Sequence, residues 1–197
     1  MISKLQMQLH DYDWFCLING CPVCVSSAGS FIPDVINRDN YVLNSMYRAF
    51  QLPRVCGFQL NTQYLMQHVV TKGFDYLNDV NSTYRVILQP KDIQYPAGTP
   101  VSVQYYAEYF AKLAERGFWV FDRDIQYVEG DRFHLVAWPE HPNNAATLNW
   151  KMYSEYSVSL KSEILDFNNP ASLVDLNLLD LFVEDQLQIE GQIMLEQ

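Results

Sequence analysis

Trp14-Phe15-Cys16-Leu17-Ile18-Asn19-Gly20-Cys21-Pro22-Val23-Cys24-Val25 is the stretch whose reading decides the fold. Asn-Gly joins two apolar runs, and a two-residue hairpin turn needs φ > 0 at both central positions, which these two residue types tolerate best. The segment is therefore expected to be an antiparallel hairpin, with Ile18 opposite Cys21, Cys16 opposite Val23 and Phe15 opposite Cys24. Pro22 removes a ladder donor and so predicts an edge position for its strand.

Beyond the hairpin, Ser26 to Ser30 breaks the strand. Pro33 to Phe50 carries Val35, Ile36, Val42, Leu43, Met46, Tyr47 and Phe50 near the 3.6-residue period, which predicts a helix stopped by Pro53. A pattern then recurs. A helix at Gln63–Lys72 ends at Gly73-Phe74 and is followed by two strand-like segments, the second being Tyr84–Pro90. A second helix at Gln104–Arg116 ends at Gly117-Phe118 and is again followed by two, the second being Phe133–Pro139. A basic residue followed by Gly closes each helix, as a left-handed C-cap requires. The expected architecture is a single α+β domain over 1–197, with a duplicated α-β-β unit at 61–90 and 102–139. Its sheet is expected to be largely antiparallel and built from hairpins, with helices on one face. Leu148 to Leu165 reads as a strand pair or a helix. Asn169-Pro170 predicts a helix start, continuing amphipathically to about Gln188.

The charge is −10, and 13 Lys and Arg are scattered without a run. A surface of that sign disfavours nucleic acid and anionic membranes, both of which need clustered cations. No stretch approaches the ~18 apolar residues of a spanning helix, and Met1–His10 has no signal-peptide core. The expectation is a cytoplasmic protein whose four cysteines stay reduced.

Those cysteines are Cys16, Cys21, Cys24 and Cys56, spaced C-x4-C-x2-C with a fourth downstream. The spacing resembles that of plant-type [2Fe–2S] ferredoxins, which would imply an iron–sulfur cluster on these four thiols. The hairpin counts against it, because Cys16 and Cys21 fall on one strand face and Cys24 on the other. Buried structural thiols are the simpler reading, and no cofactor is expected. Cys21-x-x-Cys24 also lacks the strand-to-helix setting of a redox motif.

Acid–base or metal chemistry has one candidate group: His134, Glu140 and His141, with Asp122 and Asp124 in the neighbouring segment. Its spacing fits no named box. There is no G-x-S-x-G, no P-loop and no G-x-G-x-x-G. The reading that follows is a non-enzymatic, inhibitory or immunity-like module that masks a basic protein partner. Its acidic face would include Asp166, Asp175, Asp180, Glu184, Asp185 and Glu190. The alternatives are a small hydrolase using the His134 group, or an iron–sulfur protein.

Overall fold

The computed structural model describes residues 1–27, 32–38, 40–71, 73, 92–123, 132–141, 157–174, 178–179 and 188–189. The hairpin forms as its sequence dictates. Strands β1 (Trp14–Ile18) and β2 (Cys21–Ser26) pair antiparallel from Trp14↔Val25 to Ile18↔Cys21. Asn19 and Gly20 take φ of 51° and 77°, the left-handed values that such a turn imposes.

The hairpin is the middle of the sheet. In chain order the other elements are α1 (Lys4–Leu9), α2 (Tyr41–Gln51), β3 (Phe58–Leu60), α3 (Thr62–Thr71), α4 (Val101–Ala114), β4 (Trp119–Arg123), β5 (Arg132–Pro139), β6 (Ser159–Lys161), α5 (Pro170–Val174), β7 (Leu178–Leu179) and β8 (Gln188–Ile189). The strand order is β3-β5-β4-β2-β1-β6-β8, with β7 on β5. β4 joins β2 in parallel and β6 joins β1 in parallel, whereas the outer pairs are antiparallel.

This is α+β, but the sheet is mixed and not mainly antiparallel. Both long crossovers return the chain parallel to the hairpin strand that they meet. Pro22 is likewise not on an edge strand. In a two-residue hairpin the pair after the closing one points its N–H groups outward, and the β4 ladder begins only at Val23↔Trp119. The donor that Pro22 lacks therefore falls where no partner strand has begun.

Helices cover both faces, again unlike the expectation. Trp14, Cys16, Ile18, Val23, Val25, Trp119 and Phe121 pack in one cluster with Met7 of α1 and Leu173 of α5. Phe15, Leu17, Cys24, Phe118 and Val120 pack in the other with Ala49 of α2, Leu65 of α3, and Val103, Ala107 and Phe110 of α4. Strands buried on both sides must be apolar at every position, which is why β1 reads as an unbroken apolar run.

The helix expected from Pro33 starts only at Tyr41, after a turn in which Asn37 N–H bonds to the Pro33 carbonyl. Its Leu43, Met46 and Tyr47 are exposed. The helix expected from Pro170 to Gln188 does start at Pro170, but Leu178–Leu179 pairs with β5 and Gln188–Ile189 with β6. Strand edges there claim backbone that side-chain periodicity had assigned to a helix. Of the two similar units, both helix-ending glycines have positive φ, 74° at Gly73 and 99° at Gly117. The strands proposed at 74–90 lie outside the described residues, as do Asp124, Asp175, Asp180, Glu184, Asp185 and Glu190.

Asn19 also ties the hairpin to the β6 region. Its amide donates to the Ser162 and Leu165 carbonyls at 2.8 and 2.9 Å and accepts from Ser162 N–H at 2.9 Å. Net hydrogen bonds are worth about 1 kcal/mol each. Asn19→Gly, which keeps the turn, should therefore lose about 2–3 kcal/mol in urea unfolding. Asn19→Ala should lose about 1 kcal/mol more for its left-handed backbone. An unchanged midpoint for Asn19→Gly would show that the tie contributes nothing.

Candidate functional site

Register places a polar row across the face of the sheet that α4 covers. Ser26 pairs with Asp122 between β2 and β4, and Asp122 pairs with His134 between β4 and β5. Asp13, one residue before β1, continues the register opposite Ser26 and shares the side of Phe15. The row therefore runs Asp13, Ser26, Asp122, His134, at the end of the sheet where the parallel strands β2 and β4 finish. Carboxyl ends of parallel strands are where open sheets commonly leave a crevice.

One wall of that crevice is α4. Tyr106, Tyr109 and Phe110, spaced i, i+3 and i+4, share a helix face and line a cleft of about 260 Å³ with Asp11, Asp13, Ser26 and Asp122. Tyr106 donates to Asp122 Oδ2 at 2.6 Å. The Tyr109 hydroxyl is turned toward Asp13, though without a hydrogen bond of ordinary length and angle. Burial, with Asp122 beside it, pushes the Tyr106 phenol far above its usual range, so it stays a donor.

Behind Asp122 stands α3. His68 Nε2 lies 3.6 Å from Asp122 Oδ2, with both side chains almost fully buried at 3% and 2% exposure. Tyr64 stacks on His68 with ring centroids 5.1 Å apart and on His134 at 4.2 Å, and Tyr106 closes on His68 at 5.2 Å. Burial raises the Asp13 pKa. The Tyr109 and Ser26 hydroxyls and the Ser27 amide pull it back down, and the neighbouring Asp11 adds to the rise.

The sequence-derived candidates are distributed as follows. Asp122 and His134 come together. Glu140 and His141 lie past the opposite end of β5, six residues or roughly 20 Å beyond His134. There the Glu140 amide donates to the Gly57 carbonyl at 3.0 Å. The Glu140 carboxylate also fills the space that a Cβ on Gly57 would take. All four cysteines are free thiols. Cys16 and Cys24 lie on opposite faces, as the hairpin geometry requires. Cys56 sits by the end of α4, its thiol 3.5 Å from the Ala114 carbonyl. Burial raises all four thiols, Cys21 and Cys56 to about 11. No group of three or more His, Cys, Asp or Glu placed to hold a metal ion occurs among the described residues.

His68, Tyr64, Tyr106, Tyr109, Asp11 and Asp13 belong to the site, although sequence patterns alone do not single them out. The available signals were the Tyr106/Tyr109 spacing on a helix and the Tyr64/His68 pair at i, i+4. Comparison with protein-family models, with curated proteins and with solved structures finds no match to this chain.

Asp13 supplies a stability test. Its native pKa is raised, so the carboxyl contributes most below the unfolded pKa of ~3.9, and that contribution is lost as pH rises through the native value. Asp13→Asn, which keeps the shape without the charge, should be more stable than wild type at pH 7. The gap should close below about pH 4, where the wild-type carboxyl is also neutral. Chemical denaturation at the two pH values measures this, and a variant less stable at both would refute it.

Proposed function

We propose that this chain is a non-enzymatic protein-binding module, of the inhibitory or immunity kind, and that its cleft receives a cationic side chain of a basic partner. The observation that carries the reading is the cleft lining: three carboxylates, Asp11, Asp13 and Asp122, beside Tyr106, Tyr109 and Phe110, with no Lys or Arg among the described lining residues. Carboxylates attract a cation, and ring faces stabilise it once water is removed. Asp13 and Asp122 stand about two strand spacings apart, near 10 Å, with Ser26 as the floor between them. That leaves room for one ammonium or guanidinium group. Asp122 is buried and Asp13 half-buried, while Asp11 stands at the exposed rim; carboxylates held away from water are costly to the fold, and such groups cluster at functional sites.

The net charge of −10 supports the same reading, because it would steer a basic partner toward the surface. No helix among the described residues is long and apolar enough to cross a membrane, and a cytoplasmic setting suits the four free thiols. Acid–base hydrolysis through His134, Glu140 and His141 draws less support, because β5 holds the first apart from the other two.

Butylguanidinium and butylammonium serve as probes, with neutral butylurea as control. Either cation should bind with a dissociation constant on the order of millimolar, roughly 4 kcal/mol, and more weakly as salt screens the carboxylates. Asp13→Asn with Asp122→Asn should lose at least tenfold in affinity. Equal binding of butylurea, or equal binding by the double variant, would overturn the proposal.

A further inference from the structure

We infer that the cleft is built for a guanidinium rather than an ammonium, so that the partner side chain it receives is an arginine. The inference rests on the cation-binding reading and adds the chemical class of the occupant.

The two cations make different demands on the walls around them. An ammonium is a compact, strongly hydrated charge, and each of its three N–H donors needs an acceptor. A guanidinium is planar and more weakly hydrated. It donates only in its own plane and leaves two faces that need no hydrogen bond. Acceptors on every side therefore suit the first, and acceptors on one side with rings on the other suit the second.

The cleft is of the second kind. Asp11 and Asp13, from the segment leading into β1, bring carboxylates, with Ser26 of β2 beside Asp13. The opposing contribution, from α4, is Tyr106, Tyr109 and Phe110. Both tyrosyl hydroxyls are directed away from an occupant. That of Tyr106 donates to Asp122, and that of Tyr109 is enclosed and turned toward Asp13. What α4 offers an occupant is ring surface. The volume of about 260 Å³ lies below the ~300 Å³ at which pockets begin to hold whole small molecules. That size suits the head of one side chain.

Tyr109 is the residue that sets the choice. Its ring is braced by Phe50 of α2, with centroids 5.4 Å apart, and by Phe110 at 5.7 Å in an edge-on contact. Burial keeps its phenol far above the usual range, so the ring stays neutral. A braced neutral ring beside a carboxylate lets an arginine head stack on the one and donate edge-on to the other. Burial also raises the Asp13 pKa, which marks the surroundings of that carboxylate as poorly hydrating. The cation that surrenders its water more readily is favoured there.

The test compares butylguanidinium with butylammonium by calorimetric titration of the intact chain, at one pH and one salt concentration. Butylguanidinium should bind wild type about fivefold or more tightly than butylammonium. Tyr109→Phe, which keeps the ring, should preserve that ratio, and Tyr109→Leu should at least halve it. Asp13→Asn should weaken both cations. Equal affinities, or tighter binding of butylammonium, would overturn the arginine assignment while leaving the cleft a cation site. An undiminished ratio in folded Tyr109→Leu would overturn the role of that ring. Binding of neither cation would remove the cleft assignment and this inference with it. The wild-type ratio decides between the two side chains even if Tyr109→Leu fails to fold.

Discussion

The two-residue turn at Asn19-Gly20 is the constraint on which the rest of the structure depends. A turn of that length admits one register between β1 and β2, and each hairpin edge then accepts a parallel strand, β4 on one side and β6 on the other. Because side chains alternate, slipping the register by one residue would exchange the two apolar clusters and carry Ser26 to the wrong face. Asn19 reinforces the choice from outside, since its side chain holds the Ser162–Leu165 segment against the turn. This register sets Asp13 opposite Ser26; the parallel β2–β4 register then brings Asp122 beside Ser26, and the register shift between Val120 and Phe121 in the β4–β5 pair brings His134 opposite Asp122.

On that row the fold sets polar groups where most of its surface is apolar. The same face that buries Phe15, Cys24 and Val120 ends in carboxylates, and α4 changes with it, from Ala107 and Phe110 against the core to tyrosyl hydroxyls over the row. Tyr106 satisfies part of Asp122, while Asp13 keeps a pKa raised by burial despite its polar neighbours. An apolar residue at Asp13 would ease desolvation, so a carboxylate there is a cost to the fold that core packing does not require.

Much of the fold was legible where local chemistry alone decides structure. Asn-Gly between apolar runs specified the hairpin to the residue, Gly73 and Gly117 marked helix ends, and Asn169-Pro170 marked a helix start. The parallel partners of the hairpin were not legible, because strand order depends on crossovers of dozens of residues that leave no local trace. Leu178–Leu179 misled for a related reason: a leucine-rich stretch fits a helix face, and only the free edge of β5 makes it a strand. The site was half legible. Asp122 and His134 are cross-strand neighbours and were paired correctly across β4 and β5. Glu140 and His141, close to His134 in sequence, are carried away by an extended strand. No local pattern marks Asp13, and His68 and Tyr106 lie on helices without a motif around them. Their meeting depends on α3 and α4 packing over the same strand ends.

The most direct measurement of the central claim is the carboxyl ¹³C titration of Asp13 and Asp122 in the intact protein, with and without butylguanidinium. If the row is a cation site, Asp13 should titrate above a free aspartate when alone and at lower pH when the cation is present, because a bound positive charge favours the ionised form. Identical titrations of Asp13 and Asp122 at saturating butylguanidinium would contradict the account.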